Sequence, residues 1–146
     1  KDLKVKIDKS INRLIKEEMD YGINNFKTYQ NFGEKVYKIR ENVIKNINNL
    51  KKKNKKIIGF GAPAKATTAL NFFGISDQID FIVEDNKLKH NKFIPGVKIP
   101  IVSKNKVNGK GDTILVLAWN FFEDIKKNNK TLSDNFINVK SLEKDT

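Results

Sequence analysis

The chain contains no cysteine and a single histidine, His90. Without cysteine there is no disulfide framework and no thiolate zinc site. One imidazole is too few for a histidine-built metal or catalytic cluster. No stretch approaches the roughly 18–20 consecutive apolar residues that span a bilayer, and no signal peptide opens the chain. We therefore expect no membrane partner and a cytoplasmic location. Arginine is almost missing too: of 29 basic residues, only Arg13 and Arg40 carry a guanidinium, the group best shaped for bidentate phosphate and guanine contacts. The net charge of +12 thus rests on lysines scattered among asparagines, and no nucleic-acid partner is expected. The densest basic run, Lys51–Lys56, reads as a solvated helix end that the macrodipole favours.

What is present is enough for one compact domain. The 146 residues can build a real core, and the 38% of apolar residues fall in patterned blocks rather than at random. The start at Lys1 rather than Met leads us to expect a piece of a longer polypeptide.

The first third carries helical periodicity. Leu3, Ile7, Ile11, Leu14, Ile15 and Met19 recur at three- and four-residue steps, with lysine and glutamate opposite. Tyr21-Gly22 breaks that stripe, and Asn24 or Asn25 can cap a second one running through Tyr29, Phe32, Val36, Ile39, Val43, Ile47 and Leu50. Residues 1–54 are expected to form a helical hairpin or brace, packed on the next unit or on a missing one. Glu17, Glu18 and Glu34 read as helix-surface carboxylates.

From Lys56 the pattern changes. Short apolar runs at Ile57–Phe60, Ile79–Val83, Thr113–Ala118 and Phe136–Val139 alternate with helices predicted at Ala64–Phe73 and about Phe121–Lys127. Thr113–Ala118 is the most apolar and is expected at the centre. An extended piece is predicted at Val97–Val102, after a polar loop at Lys87–Lys92. Such alternation implies an α/β fold: a Rossmann-like, mostly parallel sheet with flanking helices over residues 55–146, with right-handed crossovers.

The turn after the first strand is the chemically informative segment. Gly59-Phe60-Gly61-Ala62-Pro63-Ala64 fits the G-x-G-x-x-A form of the dinucleotide fingerprint. On this reading Gly59 permits a tight turn, Gly61 lets backbone approach a phosphate, and Ala64 lets the helix pack on the strand. Pro63 suits the first helical turn, where a missing N–H costs nothing. The free amides of that turn attract an anion, and Lys65 adds a cation beside it. A Walker A loop is excluded, since no Gly-Lys-Ser/Thr follows. Glu84-Asp85 ends the next strand, where a ribose-binding acid belongs, and Trp119-Asn120 ends a third strand on the same edge. There an indole face can stack on a base and the amide can read a carbonyl, although core packing explains Trp119 as well. His90, in a lysine-rich loop, reads as a solvated surface residue. Taken alone, the turn also fits a strand-to-helix connection that binds nothing.

The run Gly59–Lys65, with Thr68 and Asn71-Phe72, resembles the G-[YF]-G-A-x-A-K…T…N-[YF] signature of sugar C-methyltransferase C-terminal domains. The resemblance continues through Gly74-Ile75, Ile79-Asp80, Lys89, Lys92-Phe93, Pro95-Gly96, Ile99-Pro100 and Ala118-Trp119-Asn120. Upstream, Lys38–Glu41 falls where that family has the helix before its first strand. The resemblance implies a three-part enzyme: a zinc-binding N-terminal region, a central S-adenosylmethionine-binding domain, and this C-terminal domain holding a nucleoside-diphosphate keto-sugar. It further implies that a base removes the proton beside the ketone and that the enolate takes the methyl group. Both the S-adenosylmethionine site and the structural zinc would lie in upstream domains of the same polypeptide. No catalytic residue and no metal ligand is expected in this chain, and binding without turnover is expected from it. The substrate-binding candidates are Gly59, Gly61, Ala62, Pro63, Ala64, Lys65, Thr68, Glu84, Asp85, Lys92, Trp119 and Asn120. Glu84 stands where the family usually has Asp, Asp85 where it is often basic or polar, and Ala66 where it usually has Gly or Ser. An NAD-type dinucleotide domain and a non-binding docking module are the competing readings.

Overall fold

A computed structural model describes residues 8–53 and 56–144. Leu3 and Ile7 of the first stripe, and Asn54 and Lys55 of the basic run, lie outside the described residues. Helix α1 (Lys9–Tyr21) begins at Asp8, whose Oδ1 accepts the Ser10 amide at 2.7 Å, and ends at Gly22 in the left-handed conformation, φ 81°. Helix α2 (Phe26–Lys52) follows after Asn25, whose Oδ1 accepts the Lys27 amide at 2.9 Å. Both long N-terminal helices are therefore where the periodicity puts them.

The chain divides into two compact units, residues 1–38 and 39–146. The division falls inside α2, earlier than position 54, where the composition changes. Burial gives the reason. Asn42, Val43, Asn46 and Ile47 are buried, and Val43 and Ile47 join the core of the second unit. Each such aliphatic side chain stabilises the unit by about 1.5–3 kcal/mol. The two asparagines tie the same helix to the end of the chain: Asn42 Nδ2 donates to the Glu143 carbonyl, and Asn46 Nδ2 to those of Leu142 and Lys144, each at 2.9 Å. In the first unit, by contrast, no residue of α1 is buried.

The second unit is an α/β fold around a six-stranded sheet. Its strands are β1 (Ile57–Phe60), β2 (Phe81–Val83), β3 (Lys92–Phe93), β4 (Pro100–Val102), β5 (Thr113–Val116) and β6 (Asn135–Asn138). Their order is β3-β4-β2-β1-β5-β6, parallel throughout except for the β3–β4 pair. Helix α3 (Ala64–Phe73) connects β1 to β2, and α4 (Phe122–Asn128) connects β5 to β6. Alternate side chains divide the interior in two. Ile57, Ile82 and Leu115 pack with α3 and the second half of α2, whereas Ile58, Phe60, Val83, Ile114 and Val116 pack with α4. Every residue of β1 and β5 is buried, as befits interior parallel strands. However, β2 and β1 hold the centre, and β5, expected there, stands beside the edge strand β6. No helix among the described residues is long and apolar enough to cross a membrane.

Small differences from the predicted elements have local causes. β2 begins at Phe81 rather than Ile79, because a short 3₁₀ turn at Ser76–Gln78 delays it. The extended piece shortens to β4, which takes the two-residue β3 as an antiparallel edge partner. Lys51, read as part of a solvated run, reaches the Gln78 carbonyl at 3.3 Å and Asp80 at 3.5 Å.

Candidate functional site

The carboxyl ends of β1, β2 and β5 lie on one edge of the sheet, because the three strands are parallel neighbours. That edge brings together the glycine turn (59–64), the start of α3, Glu84-Asp85 and Trp119-Asn120.

The glycines act differently from the sequence reading. Gly59 lies within β1, not in the turn. A Cβ there would stand 2.7 Å from Ile82 Cγ1 and 3.1 Å from Leu117 Cδ1, so crowding under neighbouring side chains requires glycine. Gly61 makes the turn, with φ +89°, and a Cβ on it would meet that of Ala118 at 2.9 Å. Its N–H continues the sheet ladder to the Val83 carbonyl at 2.8 Å. Pro63 occupies the cap position just before the helix rather than its first turn, with extended backbone angles. Ala64 is exposed, and Ala66 is the small residue on which α3 packs, with no accessible surface. The sequence departs from the resembled signature at that buried position.

Glu84 reaches back into the turn. Its Oε2 accepts the Ala62 amide at 2.9 Å and its Oε1 accepts the Asn86 amide at 3.0 Å. Lys89 Nζ donates to the Ala62 carbonyl at 2.9 Å and stands 3.4 Å from Glu84 Oε2. Burial pulls the Glu84 carboxyl upward, but the Asn86 and Ala62 amides and the Lys89 charge together hold it below its ordinary value. The carboxylate therefore occupies the Ala62 amide that the sequence reading gives to a phosphate. Among the turn amides, Gly61 and Ala62 are engaged and Pro63 has none. The N–H groups of Ala64 and Lys65, at the open end of α3, have no intrahelical acceptor.

The other candidates sort by position. Lys65 is half-buried, and its Nζ stands 4.1 Å from the centre of the Trp119 ring. Trp119 is half-buried and packs partly against the core, as its core reading expects, and the rest of the residue is exposed. Asn120 beside it is exposed, and Asp85 is exposed and paired with Lys104 at 2.7 Å. Thr68 is exposed on the second turn of α3. Lys92 lies in the antiparallel strand at the far edge of the sheet, three strands from β1 in the order. The lysine that meets the turn is instead Lys89.

Sequence reasoning also misplaced His90, which is half-buried and whose Nε2 donates to the Glu84 carbonyl at 2.7 Å. Arg40 explains the block at Lys38–Glu41: its Nε donates to the Phe72 carbonyl at 2.7 Å, closing the C-terminal end of α3. Asn71 joins two of the blocks that carry the resemblance, its own and Pro95-Gly96. Its Nδ2 donates to the Pro95 carbonyl at 3.0 Å, and Gly96 leaves room for its side chain. These residues build the frame rather than touch the open edge.

No group of three or more His, Cys, Asp or Glu among the described residues converges as metal ligands would, and the chain has no cysteine. The described residues do not fit a structural zinc.

The comparisons with known proteins agree with one another. A family described as C-methyltransferase C-terminal domain matches residues 1–138. A C-methyltransferase of Streptomyces niveus, NovU, is 30% identical over 128 residues, which cover 86% of this chain and 30% of that protein. The chain thus spans less than a third of the length of the relative it matches.

Proposed function

The chain belongs to the family of C-methyltransferase C-terminal domains, and from that premise we propose that it holds a nucleoside-diphosphate keto-sugar for a methyltransferase domain in the same polypeptide. The observation that carries this reading is the open part of the sheet edge. There the unpaired amides of Ala64 and Lys65, the Lys65 ammonium and the Trp119 ring stand together. Backbone amides and an ammonium suit a diphosphate, an indole suits a base, and the exposed Asn120 amide suits a sugar or base oxygen. Methyl transfer itself, S-adenosylmethionine and the base that removes the proton belong to the remainder of the polypeptide. This chain contributes binding and orientation, in a cytoplasmic enzyme.

Glu84 argues against the NAD reading. In a dinucleotide site the acid after the second strand accepts the ribose hydroxyls and the turn amides face the pyrophosphate. Here each oxygen of the acid already accepts a backbone amide of the turn or the following loop, and the Ala62 amide is taken. A docking role for the first unit stands beside the binding role. Ile11, Leu14, Ile15, Met19 and Phe32 are all at least 45% exposed, a density of apolar surface that suits contact with the methyltransferase portion.

Calorimetric titration of the chain with thymidine- and uridine-diphosphate sugars and with NADH tests the assignment. Binding of a nucleotide-sugar in preference to NADH is expected. Preference for NADH overturns it, and so does the absence of nucleotide-sugar binding.

A further inference from the structure

The carboxylates at the open edge are already paired with lysines other than Lys65. Glu84 faces Lys89 at 3.4 Å, and Asp85 faces Lys104 at 2.7 Å. Lys65 turns instead to the Trp119 ring, with its ammonium 4.1 Å from the ring centre. An ammonium over a partly exposed indole is held only weakly, by a factor of about two to five in population. The same ammonium projects from the first turn of α3, where the free amides are. A phosphate at those amides is a stronger partner for it than the ring. A nucleobase, conversely, stacks on the covered face only when Lys65 has left it.

We propose that Lys65 is a ligand-displaced cover on Trp119, and that it makes the phosphate and base portions of the ligand bind cooperatively. The proposal rests on the nucleotide-binding reading above and adds a mechanism to it. Phosphate draws Lys65 off the ring, so the base no longer has to displace it. The base releases Lys65, so phosphate finds it free. Because both effects draw on one equilibrium, they must be equal in size.

Trp119 is the chain's single tryptophan, so its emission reports on this ring without interference from another indole. The test titrates the wild-type chain and Lys65→Ala with thymidine, with inorganic pyrophosphate, and with each in the presence of the other. Saturating pyrophosphate should raise wild-type affinity for thymidine about two- to fivefold, and thymidine should do the same for pyrophosphate. Lys65→Ala should bind thymidine alone more tightly by that factor, bind pyrophosphate more weakly, and show no coupling. These opposite signs separate a cover from an ordinary binding lysine, whose loss weakens or spares both. Alanine is well tolerated in a helix, so the variant should fold. Independent binding of the two half-ligands in wild type overturns the cover and leaves the nucleotide reading standing, as does weaker thymidine binding by Lys65→Ala. If neither half-ligand binds, both fall.

Discussion

Replacing Glu84 with alanine should destabilise the α/β unit and release the turn it holds. The carboxylate accepts two backbone amides, Ala62 at 2.9 Å and Asn86 at 3.0 Å, and adds a weak ion pair with Lys89 at 3.4 Å. A hydrogen bond to a charged acceptor contributes about 1.5–3 kcal/mol when its loss leaves the donor without a partner. That applies to Ala62, which is half-buried. Asn86 is exposed and regains water, so its bond contributes less, and the ion pair contributes under about 1 kcal/mol. The sum is about 2–3 kcal/mol, or roughly 10 °C in Tm for a unit of this size. Glu84→Gln keeps one acceptor and should lose about half as much. The pH dependence has a definite sign. A carboxyl held below its ordinary value in the folded state stabilises the fold above the ordinary carboxylate range, and that contribution is lost as pH falls through the folded value. Glu84→Gln should lack this part of the acid sensitivity. Urea unfolding followed by Trp119 emission measures both quantities, since the indole belongs to this unit. A Glu84→Ala variant within about 0.5 kcal/mol of wild type would show that the carboxylate does not hold the turn, as would unchanged acid sensitivity in Glu84→Gln.

Gly96→Ala should be strongly destabilising, by about 2 kcal/mol or more, because φ is +83° and the new Cβ would lie 2.2 Å from Asn71 Oδ1. Pairing it with Asn71→Ala should recover the steric part but not the backbone part, as a double-mutant cycle in urea will show. Asn46→Ala leaves the carbonyls of Leu142 and Lys144 without their donor and should cost about 1–3 kcal/mol. Hydrogen exchange should then speed up at residues 139–143 while the amides of β1 and β5 stay protected.

Much of the fold was legible because the sheet interior is buried on both faces. Ile57–Phe60 and Thr113–Val116 read as unbroken apolar runs, and α3 ends where Gly74 takes the left-handed conformation that glycine favours. β3 carried no such signal: Lys92 and Phe93 are both exposed, so burial imposes no pattern on them. The break between the two units is invisible in the sequence, since the apolar stripe of α2 runs through it without interruption. At the site, residue types were readable but directions were not. Gly59 matches a turn motif, yet what demands glycine there is the approach of Ile82 and Leu117 from distant positions. Glu84 stands where an acid was expected, but only the folded turn shows it bonding Ala62 rather than facing outward. Lys89 is one lysine among many in its loop, and nothing local marks it over Lys92.

In the proposed function a nucleoside-diphosphate sugar binds at the start of α3. Amide chemical-shift mapping of the chain during titration with such a sugar tests this most directly. The largest changes are expected at the Ala64 and Lys65 amides and at the Trp119 indole N–H, with Ala62 little moved behind Glu84. Changes centred on α1, or none at the start of α3, would contradict it.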